Sequence, residues 1–102
     1  MPRSFPYSSA LVTGASSGLG EEFALQLAPC VRQLVLVARR EALLQDLAET
    51  IRGHFPMVDV RVFSADLALA SERERLVENI TSEGVLPDLL VNNAGLGDYG
   101  EF

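Results

Sequence analysis

The regular alternation of short apolar runs with longer amphipathic segments constrains the fold of this chain more than any other feature. Four runs have the length of strands, at residues 10–12, 34–37, 58–63 and 89–91. Three of them are almost continuously apolar, which is typical of parallel strands covered on both faces. The run at 58–63 alternates between apolar and polar residues, which predicts an edge strand with one face in water.

Three helix-length segments lie between these runs, at residues 18–28, 40–52 and 71–83. The resulting order is β-α-β-α-β-α-β, with about 25–30 residues in each unit. This order predicts an α/β fold in which crossover helices connect the strands of a parallel sheet.

Each helical segment carries an apolar stripe that is expected to face the sheet. The stripe residues are Phe23, Ala24, Leu27 and Ala28 in the first segment, Leu43, Leu44, Leu47 and Ile51 in the second, and Leu76, Val77 and Ile80 in the third. Pro29, Gly53 and Gly84 predict where the three helices end. Ser71 and Glu74 predict a capping box at the start of the third helix.

The composition excludes several classes of function. The 8 basic residues, all arginine, are outnumbered by 14 acidic ones, and the net charge of −6 has the wrong sign for a general nucleic-acid binder. One cysteine and one histidine exclude a disulfide framework and a multi-histidine metal site. The longest apolar run, at 34–38, is far shorter than the roughly 18 residues of a membrane-spanning helix. The N-terminus also lacks the apolar region of a signal peptide. We therefore expect a single cytoplasmic domain over residues 1–102 that does not contact a membrane.

A glycine-rich stretch from Thr13 to Gly20 stands where the first strand is predicted to turn into the first helix. A dinucleotide pyrophosphate needs a backbone that it can approach closely and a helix N-terminus directed at its negative charge. In such a site Gly14 would make the tight turn, Gly18 would leave room for the pyrophosphate, and Gly20 would let the helix pack against the strand. The alternative is a glycine-rich turn that binds nothing.

The same stretch also matches the G-x-S-x-G nucleophile elbow, with Ser16 as the nucleophile. A hydrolase of this type needs an acidic residue and then a histidine later in the chain. The one histidine, His54, is predicted at the solvated end of the second helix and not beside Ser16. The nucleophile-elbow motif also gives no reason for a glycine at position 20. The sequence therefore favours the dinucleotide interpretation over an α/β-hydrolase.

Two arginines, Arg39 and Arg40, follow the second strand directly. At this place in a dinucleotide fold an acidic residue binds the 2′-hydroxyl of NAD, whereas arginine accommodates the 2′-phosphate of NADP. The first acidic residue here is Glu41, which already belongs to the predicted helix. The pair therefore predicts NADP, with NAD the less favoured cofactor. The alternative is that both arginines are simply solvated at the start of the helix.

Two further motifs end the third and fourth strands: Asp66 with Leu67, and Asn92-Asn93-Ala94-Gly95. The carboxyl ends of parallel strands form the ligand crevice of an open α/β sheet. Together with the Thr13-Gly14-x-x-x-Gly18-x-Gly20 pattern, these motifs resemble those of the classical short-chain dehydrogenase/reductase family, in order and in spacing. The resemblance extends from Ala10 to the end of the chain.

The resemblance implies the N-terminal half of a doubly wound Rossmann fold, with four parallel strands in the order 3-2-1-4 and three crossover helices. Right-handed crossovers then place the first two helices on one face of the sheet and the third on the other. The resemblance also implies a role for each motif residue. Ser16, Ser17 and Leu19 would line the pyrophosphate site, Asp66 and Leu67 would flank the adenine, Asn92 and Ala94 (beside Gly95) would touch the adenosine ribose, and Asn93 would help to tie the sheet together.

The family's catalytic residues, a serine, an asparagine and a Tyr-x-x-x-Lys pair, follow the Asn-Asn-Ala-Gly motif. This chain has no lysine, and Tyr99 stands too close to the motif to be that tyrosine. We therefore expect the NADP-binding part of an oxidoreductase that transfers hydride to or from carbonyl or alcohol substrates. Its catalytic half is expected to be absent from this chain, as in a fragment or a truncated gene product, and the full-length form is expected to be a homo-oligomer. The alternative is a stand-alone dinucleotide-binding module.

Overall fold

Strands and helices alternate along the chain in the predicted order. The structure, a computed structural model, describes residues 7–93, so the predicted site residues Ala94 and Gly95, and also Tyr99, lie outside the described residues. The elements are β1 (Tyr7–Thr13), α1 (Gly18–Leu27), a 3₁₀ turn (Ala28–Cys30), β2 (Val31–Ala38), α2 (Glu41–His54), β3 (Asp59–Ser64), α3 (Ala70–Ser82) and β4 (Leu89–Asn92).

The four strands form one parallel sheet in the order β3-β2-β1-β4, which confirms the predicted topology. In the register of the sheet, Val12 of β1 lies opposite Leu36 of β2 and Val91 of β4. The central strands β1 and β2 are buried along most of their length, whereas both ends of β3 are exposed. The sequence predicts that one face of β3 lies in water, but Val60 is buried on the face of α1 and α2 and Phe63 on the face of α3, because helices cover both faces of the sheet. β3 lies at one edge of the sheet, as its alternating sequence predicts.

The sheet separates two hydrophobic cores, because successive side chains of a strand point to opposite faces. On one face Val12 and Leu36 pack with residues of α1 and α2, among them Ala24 and Leu44. On the other face the core contains residues of β1, β2, β3 and α3, namely Leu11, Val35, Val37, Phe63, Leu76 and Ile80, together with Ala65 and Val85. The third helix therefore covers the face opposite to the first two, as right-handed crossovers require.

Two stripe residues do not lie in the core, contrary to the sequence prediction. Leu43 is 41% exposed and Val77 is 62% exposed. Each is next in sequence to a buried stripe residue, Leu44 or Leu76. Consecutive helical residues are about 100° apart around the axis, so a helix that contacts the sheet through one narrow side turns the neighbouring side chain toward solvent.

The predicted capping box is wrong. α3 begins at Ala70, and the carbonyl of Leu69 accepts the N–H groups of Glu72 and Arg73, each at 3.1 Å. Ser71 therefore lies inside the first turn. The N-cap residue, Leu69, makes no side-chain capping bond.

The predicted helix ends are correct at Gly84 and wrong at Gly53. Gly84 adopts a φ of 74°, and the backbone leaves α3 there. Gly53 stays inside α2, which continues to His54, because the N–H of Phe55 still bonds the carbonyl of Ile51 at 2.7 Å. A glycine after a helical pattern is permissive for a stop but does not impose one.

β4 forms the other edge of the described sheet and is the least covered strand. Its Leu90 lies opposite Leu11 on the face of α3 and is 62% exposed. The start of the strand is attached to β1 by Asp88, whose carboxylate accepts the N–H groups of Ser8 and Ser9 at 3.1 and 2.9 Å. Within residues 7–93, no helix is long and apolar enough to cross a membrane.

Candidate functional site

The carboxyl ends of the four strands meet at one edge of the sheet and bring the separate sequence motifs together. Beyond the strands, the N–H of Ala15 bonds the carbonyl of Val37 at 3.1 Å, and the N–H of Ala65 bonds that of Ala38 at 3.0 Å. These bonds align the glycine turn, the arginine pair and the Asp66 loop side by side. The motif of β4 joins them because the sheet pairs β4 with β1.

The turn between β1 and α1 requires glycine at two of its three glycine positions. Gly14 adopts a φ of 61°, which side-chain-bearing residues rarely adopt. A Cβ on Gly20 would lie 2.1 Å from the carbonyl oxygen of Gly14, so only glycine lets α1 pack this closely against the turn. A Cβ on Gly18 would meet no atom within 4 Å, so the space in front of this residue is open.

Ser17 is the N-cap of α1, and its hydroxyl is fully used within the protein. The hydroxyl donates to the carbonyl of Gly14 at 2.9 Å and accepts from the N–H of Gly20 at 3.1 Å and from Nδ2 of Asn93 at 2.9 Å. A serine hydroxyl has one donor and two acceptor positions, so none remains for a ligand. The side chain of Ser17 therefore shapes the turn that the sequence motif predicts.

Asn93 connects the end of β4 to the same turn. Its side chain is 1% exposed, and Nδ2 donates to the carbonyl of Gly14 at 3.1 Å as well as to Ser17. The Oδ1 atom has no hydrogen-bond partner among residues 7–93. The contact places a buried amide between two segments that are far apart in sequence, and it holds the glycine turn against the fourth strand.

A pocket of about 180 Å³ opens beside the N-terminus of α1. It is lined by Ser16, Ser17, Arg39, Arg40 and Leu43. Free N–H groups and the helix dipole make a helix N-terminus attractive to anions, and arginine binds phosphate in a bidentate manner. Both guanidinium groups belong to exposed residues, so they can turn toward an anion that binds there. The arrangement is chemically suited to a phosphate group.

Leu43 is the pocket residue that the sequence interpretation missed. It stands in the first turn of α2, close behind the arginine pair, and was assigned to the core because of its apolar side chain. Its partial exposure instead provides an apolar wall for the pocket. The signal for this was the position of Leu43 in the first turn of α2, within four residues of both arginines.

The Asp66 loop is held by its own backbone and by α3. Oδ1 of Asp66 accepts the N–H of Ala68 at 3.0 Å, and the N–H of Asp66 donates to Oε1 of Glu72 at 3.3 Å. The guanidinium of Arg73 donates to the carbonyl of Leu67 at 2.7 Å. The side chain of Leu67 packs against the core on the α3 face, and this contact attaches the loop to the core.

The remaining candidates divide between the two edges of the sheet. Asn92 is exposed at the carboxyl edge, where its Oδ1 accepts the hydroxyl of Thr13 at 3.1 Å, and Leu19 is exposed in the first turn of α1. His54 ends α2 at the opposite edge, where it lines an apolar cavity of about 340 Å³. The structure therefore does not bring His54 to Ser16, as a nucleophile elbow would need.

Two carboxyl groups at the amino edge, away from the pocket, have lowered pKa values. The guanidinium of Arg61 bonds Asp59 and lowers its pKa, against a smaller opposing effect of burial. The backbone N–H groups of Ser9 and Ser8 lower the pKa of Asp88. No group of three or more histidine, cysteine, aspartate or glutamate residues among those described is arranged to hold a metal ion.

Comparisons with known proteins identify relatives of this arrangement. The family model described as short chain dehydrogenase matches residues 8–102. A very-long-chain 3-oxoacyl-CoA reductase of Eremothecium gossypii is 47% identical over 90 residues, which cover 85% of this chain and 24% of the reductase. An 11-beta-hydroxysteroid dehydrogenase of Pinus massoniana is 41% identical over 87 residues, which cover 85% of this chain and 24% of that protein.

A solved structure is also similar. The L-sorbose reductase of Gluconobacter frateurii, complexed with NADPH and L-sorbose, superposes with a TM-score of 0.80 at 34% sequence identity. The match covers 95% of this chain and 36% of the reductase. The chain thus spans about a quarter of the length of the two curated relatives named above.

Proposed function

Because this chain belongs to the short-chain dehydrogenase family, we propose that the carboxyl edge of its sheet binds NADP(H). We further propose that the chain is the cofactor-binding part of an oxidoreductase for carbonyl or alcohol substrates. The observation that carries the cofactor assignment is the pocket at the N-terminus of α1, which both Arg39 and Arg40 line. When bound, the nicotinamide would supply or accept the hydride.

The preference for NADP over NAD follows from the charge of this pocket. The 2′-phosphate of NADP carries negative charge that NAD lacks, and two guanidinium groups with a helix N-terminus complement it. Among residues 7–93, none that lines the pocket carries a carboxylate that could bind the 2′-hydroxyl of NAD. The similar L-sorbose reductase was solved with NADPH bound, which supports the same assignment here.

The other site residues are assigned from their places along the same edge. The pyrophosphate would lie over Gly14, Ser16, Gly18 and Leu19, where the open space in front of Gly18 leaves room for it. The adenine would lie beside the Asp66–Leu67 loop. The adenosine ribose would lie near Asn92, with Ala94 and Gly95 following in the motif. Ser17, Gly20 and Asn93 would act indirectly, because their contacts hold the turn in shape.

Proton transfer and substrate binding are assigned to residues outside these 102 residues. Reduction of a carbonyl group needs a proton donor, and a tyrosine of lowered pKa does this best beside a cation such as lysine. The chain contains no lysine. In this proposal the carboxyl edge of the described sheet binds and orients the cofactor. The proton donor for carbonyl reduction belongs to a further segment of protein.

The experiment that tests the cofactor assignment compares two single-charge changes. Arg39→Gln removes one positive charge from the pocket, and Asn79→Asp lowers the net charge equally at an exposed position near the end of α3, one turn after Arg75. A charge-assisted hydrogen bond contributes about 1.5–3 kcal/mol, so Arg39→Gln should weaken NADPH binding by about 10- to 150-fold. NADH binding should stay unchanged in both variants. Equal affinities of the parent protein for NADPH and NADH would refute the assignment.

A further inference from the structure

Ser64 makes a contact with the arginine pair that the sequence does not reveal. It is the last residue of β3, it is exposed, and its hydroxyl donates to the backbone carbonyl of Arg39 at 3.0 Å. This carbonyl belongs to the peptide bond that joins Arg39 to Arg40. The hydroxyl therefore holds the one peptide unit that carries both pocket arginines.

The contact extends the pairing of β2 and β3 by one residue. The last backbone bond between these two segments runs from the N–H of Ala65 to the carbonyl of Ala38, at 3.0 Å. Arg39 is the next residue, and at that point the side chain of Ser64 replaces the backbone donor. Serine hydroxyls commonly satisfy backbone carbonyls in this way where regular pairing stops.

The turn that carries the arginines has little other support. Arg40 is the N-cap of α2, and its side chain makes no capping hydrogen bond. Its carbonyl accepts the N–H of Leu44 at 3.2 Å, which fixes the helix side of the turn. On the strand side, the peptide between Arg39 and Arg40 is held by Ser64.

We infer that Ser64 is a positioning residue for the phosphate pocket, because it holds the peptide that joins Arg39 and Arg40, and both residues line the pocket beside the N-terminus of α1. The inference rests on the proposed NADP-binding function. Ser64 would thus contribute to the choice of NADP over NAD without touching the cofactor. Because the hydroxyl and the strand end are exposed, water can replace the hydrogen bond, and its removal should cost little stability.

The test uses the protein at its natural length with Ser64→Ala, the conservative Ser64→Thr, and Ser64→Ala combined with Arg39→Gln. Dissociation constants for NADPH and NADH are measured by fluorescence titration, and a thermal melt of each variant checks folding. Loss of one hydrogen bond should weaken NADPH binding by about two- to tenfold. NADH binding should not change, and Ser64→Thr, which keeps the hydroxyl, should retain most of the NADPH affinity. In the Arg39→Gln background only Arg40 remains to be positioned, so Ser64→Ala should have a smaller further effect than it has in the parent.

Three results would overturn the inference alone while the parent still prefers NADPH. They are an unchanged NADPH affinity in Ser64→Ala, an equal loss for NADPH and NADH, and a loss that adds fully to that of Arg39→Gln. The last two would show that Ser64 acts on the fold, or on the cofactor, independently of Arg39. A parent protein that binds both cofactors equally would instead overturn the proposed cofactor, and this inference with it.

Discussion

Gly18 and Gly20 lie in the first turn of the same helix, yet we predict opposite effects on stability when each is replaced by alanine. At Gly20 the new Cβ would lie 2.1 Å from the carbonyl oxygen of Gly14 and 2.9 Å from the Cα of Ala15. The N-terminus of α1 would have to move by about 1 Å to restore ordinary van der Waals distances. At Gly18 the new Cβ meets no atom within 4 Å.

The expected free energies follow from these distances. Displacement at Gly20 adds an overpacking cost of about 1–3 kcal/mol. It also disturbs the 3.1 Å bond from the N–H of Gly20 to the hydroxyl of Ser17, and the loss of an N-cap costs about 1 kcal/mol. Gly20→Ala should therefore lower the free energy of unfolding by about 2–4 kcal/mol. Gly18→Ala should raise it by up to about 1 kcal/mol, because alanine loses less backbone entropy than glycine in a helix.

Two measurements on the same pair of variants separate packing from cofactor binding. Urea unfolding followed by circular dichroism gives the free energies, and fluorescence titration gives the NADPH affinity. Gly18→Ala should fold well but bind NADPH about tenfold or more weakly, because its methyl group occupies the space proposed for the pyrophosphate. A Gly20→Ala variant as stable as the parent would refute the packing argument. A Gly18→Ala variant with parental NADPH affinity would refute the position of the pyrophosphate.

Three further predictions concern the edges of the sheet and the chemistry. Because backbone N–H groups lower the pKa of Asp88, its carboxylate stabilises the fold above the pKa of an unfolded aspartate, about 3.9. This stabilisation is lost as the pH falls through the lower folded pKa. Asp88→Asn should remove this part of the pH dependence of the unfolding free energy between about pH 2 and 5, and an unchanged profile would contradict the assignment. The 102-residue chain alone should self-associate through β4, where Leu90 is 62% exposed on an edge strand. Light scattering should show that the Leu90→Lys variant of this chain has a lower average mass than the parent chain. A parent chain that is monomeric and unfolds in a sharp thermal transition would contradict the predicted self-association. The same chain should reduce no carbonyl compound with NADPH, since it has no lysine; NADPH oxidation that a substitution within the chain abolishes would show the opposite.

The sequence by itself determined the order of the elements and the place of the glycine turn. Continuous apolar runs at β1 and β2 are typical of strands that are covered on both faces, and together with the intervening helical segments they predict a parallel sheet. Gly14 adopts a positive φ, and Gly20 lies in close contact with the backbone of Gly14 within the same turn. Both requirements are local. Such features depend on neighbouring residues, and for this reason pattern and spacing predict them well. The alternation along β3 predicts its edge position for the same reason.

Only the tertiary structure decided which side chains are buried in the core and which line the pocket or hold the turns around it. Leu43 is apolar and in phase with the stripe of α2, yet it lines the pocket beside α1, because its side of the helix turns away from the sheet while the adjacent Leu44 is buried in the core. The hydroxyl of Ser17 accepts a hydrogen bond from the side chain of Asn93, and the hydroxyl of Ser64 donates one to the carbonyl of Arg39. These pairs are 76 and 25 residues apart in the chain. Their contacts depend on which strands become neighbours and in which register, and no local pattern of residues specifies the side-chain geometry that results.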